Sequence, residues 1–134
     1  MYVLDTTTVS DFLRGNQKVK DKLSTISKKW VYITSITKLE IEYGLKKKPE
    51  LRPKLERRIE LLYSEVGDYP FDTQIVPIAS QIKHNLLSNG YTIGTADLLI
   101  GAIALFHDCV VVTSNTKHFE KIEDLQIEDW KNDF

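Results

Sequence analysis

The chain has 134 residues, 42% of them hydrophobic and 28% charged, with a net charge of −1. This is the size and balance of one globular domain spanning 1–134, which argues against long disorder and against a global basic field for nucleic acid. No apolar run approaches the roughly 20 residues that span a bilayer, so a membrane protein is not expected.

In chain order, MYVLD reads as a short strand ending in an acid, and TTTVSDFLRG as a helix. Thr8 and Asp11 have the spacing of a capping box, and Gly15 marks the stop. Residues 17–28 carry Val19, Leu23 and Ile26 at helical spacing. Trp30–Ser35 is aromatic and β-branched, which favours a strand, and ITKLEIEYGLKKK then turns helical. Pro53 suits the first turn of the next helix, whose apolar stripe is Leu55, Ile59 and Leu62. Asp72–Ser88 reads as a helix in which Pro77 either introduces a bend or marks a late start; Asn89 and Gly90 close it. Residues 95–107 form a nearly all-apolar helix, Cys109–Ser114 a strand, and LQIEDW a final edge strand.

The continuous apolar runs in VYITS and CVVVTS indicate strands covered on both faces. The expected fold class is therefore α/β, a three-layer α/β/α sandwich around a mainly parallel sheet. Ligands bind such sheets at the carboxyl ends of the strands. Asp5, Asn115 and Glu40 fall there, and Asp97 opens the apolar helix facing the same rim.

Oxygen donors of this kind suit a hard cation, Mg²⁺ or Mn²⁺, and that cation chemistry is used to hydrolyse phosphodiesters. Each residue also has a local reading. Glu40 completes a capping box with Thr37, Asp97 suits the positive helix start, and Asp5 and Asn115 are turn formers. Nothing resembles a zinc site, since Cys109 stands alone and His84, His107 and His118 lack ligand spacing. That lone cysteine, together with an N-terminus lacking a basic region and a long apolar segment, leads to a cytoplasmic expectation. From Lys46 to Arg58 seven basic residues stand against Glu50 and Glu56, either a solvated helix face or a patch for phosphates.

Four pieces, VLDTTTVSDFLRG (3–15), SITKLEIEYG (35–44), IGTADLLIGAIAL (93–105) and VVTSNTKHFEKIEDLQIEDW (111–130), occur in one order. Together they resemble the PIN-domain ribonucleases, and among those the VapC-type toxins of toxin–antitoxin pairs. The resemblance implies an Mg²⁺-dependent endoribonuclease that inhibits translation by cutting tRNA, rRNA or mRNA. It makes Asp5 and Asp97 the principal metal ligands, with Glu40 completing the acidic set directly or through water and Asn115 orienting water or substrate. A cognate antitoxin, a homodimer and an RNA substrate are the implied partners, with Val9, Phe12 and Leu13 as candidate antitoxin contacts.

The chain departs from the family pattern at two positions. Thr7 stands where many relatives have Asn, and His118 where an acid is more frequent. A second reading is a catalytically inactive PIN-like module that binds RNA or protein. A haloacid-dehalogenase-type phosphatase would need an acid two residues after Asp5, where Thr7 stands. A receiver domain would need a lysine ending a late strand, and VVVTSN has none.

Overall fold

In the computed structural model, which describes residues 1–132, strand β1 (Tyr2–Leu4) is followed by helices α1 (Thr6–Leu13) and α2 (Gln17–Ser24). Strand β2 (Val31–Thr34) leads into α3 (Ser35–Lys47) and α4 (Arg52–Glu65), and β3 (Gly67–Tyr69) into α5 (Val76–Ser88) and α6 (Thr95–Phe106). Strands β4 (Val110–Val112) and β5 (Ile127–Glu128) complete the chain. The sheet order is β3-β2-β1-β4-β5, and every neighbouring pair is parallel.

Period-two alternation divides the strand side chains between two cores. Val3 and Val111 pack with α5 and α6 residues such as Ile82, Ile100 and Ile103. Leu4, Ile33 and Val112 face the other way, onto Val9, Leu13, Leu23, Ile41 and Leu62 from α1 to α4. Both faces of the sheet are therefore covered, which is the expected three-layer α/β/α sandwich.

Several local expectations are corrected. Helix α1 starts at Thr6, and its cap is Asp5, not Thr8. The Thr8 hydroxyl instead donates to the Val112 carbonyl at 2.8 Å. The 17–28 helix stops at Ser24, and Lys28–Trp30 forms a separate 3-10 turn. Of the two readings of Pro77, the late start holds: Thr73–Ile75 is a 3-10 turn, and Pro77 lies in the first turn of α5, where its missing N–H costs nothing. Strand β3 was not foreseen. Its three residues include a glycine, and none is buried, so it carries no hydrophobic pattern.

Candidate active site

At the carboxyl end of β1, Asp5 has extended backbone and caps α1. Its Oδ1 accepts the Thr8 N–H at 3.0 Å and the Thr7 hydroxyl at 2.7 Å. The residue is 3% exposed. Burial pushes its carboxyl above the usual carboxylate range, against the opposing pull of hydrogen bonds from Thr113, Thr8 and Thr7.

Thr7 joins this acid to the end of β4. Its hydroxyl accepts the Ser114 N–H at 3.2 Å and lies 3.4 Å from the hydroxyl of Thr113, which is fully buried. Thr113 Oγ1 in turn accepts the Asn115 N–H at 2.9 Å. Asp5, Thr7, Thr113 and the backbone of Asn115 thus form one connected network, while Asn115 itself is exposed. The departure at Thr7 keeps a polar bridge between the two strand ends.

Glu40 is the sixth residue of α3. The cap of that helix is Thr34, whose hydroxyl accepts the Thr37 N–H at 3.1 Å, so the capping-box reading of Glu40 is excluded. Its carboxylate accepts from the Thr6 hydroxyl, which also lies 3.3 Å from that of Thr37. Thr6 is the chain neighbour of Asp5, so α1 and α3 meet at the two acids.

Asp97 occupies the first turn of α6, where the helix dipole favours a negative charge. Leu98, Ile100 and Ile103 are buried and fix the helix beneath it. Its Oδ2 is 2.9 Å from Nδ1 of His118, the last residue of the 3-10 turn Thr116–His118 that follows Asn115. This contact ties the start of α6 to the loop after β4.

Among the described residues, no three carboxylate, imidazole or thiol groups stand close enough together to hold one ion. Glu40 and Asp97 direct an oxygen each to Thr6 and His118. The chemistry of the donors nonetheless fits a hard cation, because Asp5, Glu40, Asp97 and Asn115 supply oxygen only. The buried Asp5 charge is also one that a cation would offset.

The surroundings divide the basic stretch in two. Glu42 pairs with Lys46 and Arg52, and Arg52 with Glu56, as a solvated helix face would. Lys47 and Lys48, with Arg14 from the end of α1, instead line a cavity of about 250 Å³ beside Thr6 and Glu40. Val9 and Leu13, offered as partner contacts, are 0% and 2% exposed and belong to the core. Phe12 is half-buried and lines a second cavity, of about 390 Å³, with Lys20, Lys28, Arg58 and Leu61. Sequence reasoning missed Thr6, Thr113 and Arg14; the one available signal was the density of hydroxyls in TTT and VTS beside the two strand ends.

The PIN domain family model matches residues 2–125. The chain is 32% identical to the tRNA(fMet)-specific endonuclease VapC of Salmonella typhimurium, over 96% of this chain and 97% of the relative. It is 33% identical to the toxin FitB of Neisseria gonorrhoeae, over 89% and 91%. Among solved structures, DNA-bound VapBC from Salmonella typhimurium superposes with a TM-score of 0.85 at 30% identity, covering 96% of this chain and 97% of that one. FitAcB from Neisseria gonorrhoeae gives 0.80 at 31% identity, covering 97% and 98%. With its five-stranded parallel sheet and these matches over nearly its whole length, the chain belongs to the PIN-domain family, among the VapC-type members.

Proposed function

We propose that the protein is a Mg²⁺-dependent endoribonuclease, with Mn²⁺ able to substitute, acting in the cytoplasm as the toxin of a toxin–antitoxin pair and inhibiting translation. The observation that carries this reading is the buried Asp5 at the end of β1, joined through Thr7 and Thr113 to the backbone of Asn115, with Glu40 on Thr6, the chain neighbour of Asp5, and Asp97 on His118 of the loop after Asn115. The named activities of the Salmonella and Rickettsia felis relatives, an endonuclease and a ribonuclease, support it.

Asp5, Asp97 and Glu40 would hold the cation, which supplies Lewis-acid polarisation of a phosphoryl oxygen and makes nearby water more acidic. Thr7 and the α1 backbone hold Asp5 still through Oδ1. Glu40 takes the proton from the attacking water after releasing the Thr6 hydroxyl. Asn115 orients water or substrate from the loop after β4. Lys47, Lys48 and Arg14 contact the RNA backbone in the adjoining cavity, which positions the strand without reading its sequence. In-line attack leaves a 5′-phosphate and a 3′-hydroxyl.

The relatives solved as VapBC and FitAB assemblies support a cognate antitoxin, and a homodimer belongs to the same proposal. The Phe12 cavity, basic at Lys20 and Lys28 and apolar at the exposed Leu61, suits an antitoxin segment carrying an aromatic or aliphatic anchor and acids.

A second reading, a PIN-like module that binds RNA or protein without cutting, is favoured by the engagement of Glu40 with Thr6 and of Asp97 with His118. One experiment separates the two. Wild type and Asp97→Asn are incubated with total RNA in Mg²⁺ or EDTA, and new 5′ ends are sequenced. Cutting that needs both metal and Asp97, reduced at least 100-fold in the variant, is expected. Equal cutting by the variant removes Asp97 from the site, and no cutting by wild type leaves the binding module.

A further inference from the structure

Away from the four candidate site residues, a cavity of about 320 Å³ lies along α5 and the segment after the 3-10 turn. That volume falls at the lower end of small-ligand pockets. Its lining includes Asn85, Asn89, Tyr91, Lys121, Glu123 and Asp124. Tyr91 sits in the connection between α5 and α6, six residues before Asp97, and Lys121 three residues after His118. The first of these segments leads into α6, which Asp97 opens, and the second follows Asn115 and His118 along the chain.

Tyr91 is 45% exposed, yet its backbone is anchored: its N–H donates to the Leu86 carbonyl at 2.9 Å, after Gly90 turns the chain at φ +81°. A bulky aromatic ring is thereby held at the surface without being used by the core. Lys121 Nζ lies over one face of that ring, 5.0 Å from its centre, so a base stacks on the opposite face or displaces the ammonium. An aromatic face paired with a cation is the arrangement that takes a base by stacking and its phosphate by charge. Asn85 and Asn89 add amides, of which Asn85 Oδ1 already accepts from Gln81 Nε2 and Asn89 Nδ2 already donates to the Asn85 carbonyl, each at 2.8 Å, and Glu123 and Asp124 place acceptors at the same cavity. Carboxylates accept from exocyclic amines and repel the two carbonyl oxygens that flank the single N3–H donor of uracil.

We infer that this cavity is a nucleotide subsite for single-stranded RNA. Tyr91 stacks on a base outside the scissile step, and Lys121 meets its phosphate. The acidic wall prefers adenine, guanine or cytosine, which bear an exocyclic amine, over uracil. The inference rests on the ribonuclease reading for its choice of ligand, but it concerns binding and can be tested without cleavage.

The test measures fluorescence anisotropy of labelled oligo(A), oligo(C) and oligo(U) in EDTA, with wild type, Tyr91→Phe, Tyr91→Ala, Lys121→Gln and the pair Glu123→Gln with Asp124→Asn. Expected are tighter binding of oligo(A) and oligo(C) than of oligo(U), retention in Tyr91→Phe, and a loss of about tenfold in Tyr91→Ala. Lys121→Gln lowers the slope of log affinity against log salt by about 0.7, the contribution of one single-strand phosphate contact. The double acid variant narrows the preference over oligo(U). Wild type that binds none of the three, or Tyr91→Ala that binds as tightly as wild type, overturns the subsite. The total-RNA digest reports separately on catalysis: cutting together with Tyr91-independent binding overturns this inference alone, and Tyr91-dependent binding without cutting supports the subsite while removing the nuclease.

Discussion

Asp5 meets two demands that conflict. As the cap of α1 it satisfies the Thr8 N–H, and as a 3% exposed carboxylate it carries a charge that burial disfavours. Asn caps helices about as well as Asp and has no charge to bury. The variant Asp5→Asn is therefore expected to keep or raise the metal-free melting temperature while RNA cleavage falls at least 100-fold. Thermal melts in EDTA beside a cleavage assay check this; a clear fall in melting temperature would mean that the carboxylate stabilises the fold. The acids were legible in the sequence because strand ends and helix starts are readable from apolar runs. Their partners were not. Thr6, Thr7 and Thr113 lie far apart in the chain or read as ordinary helix-start residues, and only the parallel β1–β4 pairing brings Thr7 to Thr113.

Among the elements, β3 shows how a segment without pattern is still specified. A Cβ built on Gly67 would lie 2.3 Å from Cδ2 of Tyr32, so the glycine is what lets that ring lie flat on the strand start. The Tyr32 ring stacks on Tyr69 at 4.0 Å between centroids, and Tyr69 on His107 at 3.6 Å, joining β2, β3 and the end of α6. Gly67→Ala must displace Tyr32 and is expected to cost about 1–3 kcal/mol in urea unfolding, with no loss if the ring moves freely. Burial holds His107 below its ordinary value, with Asp72 pulling weakly the other way. A lowered folded pKa contributes stability above the unfolded value near 6.5 that is lost as pH falls below it. His107→Phe keeps a ring on Tyr69 and cannot titrate, so its melting temperature should fall less than that of wild type between pH 7 and 5; parallel curves would clear His107 of that role. Apolar runs, helical spacing and cap residues pointed to the six helices and the strands β1, β2, β4 and β5, but none of them marks a three-residue strand whose reason is one aromatic ring.

For the whole molecule, a sheet shared by two cores decides how it unfolds. Val3 and Leu4 are adjacent yet belong to opposite cores, as do Val111 and Val112, so neither side can lose its packing without loosening the same two strands. The far end of the chain joins the same unit. Trp130 is 3% exposed, its ring meets Tyr2 edge-on at 5.4 Å, and Lys131 reaches Asp11 of α1 at 3.3 Å. Trp30, by contrast, is 47% exposed. In a Trp30→Phe background the remaining indole therefore reports on the α1–α4 core, while far-UV circular dichroism reports on all helices. One cooperative transition is expected, with fluorescence and dichroism midpoints coinciding in urea. Trp130→Ala should lower the dichroism midpoint by an amount equivalent to about 3–5 kcal/mol, because the cavity opens between the end of β5, Tyr2 of β1 and the core shared with α1. Fluorescence lost well before dichroism would show that the α1–α4 layer melts alone and that the shared strands do not couple the two cores.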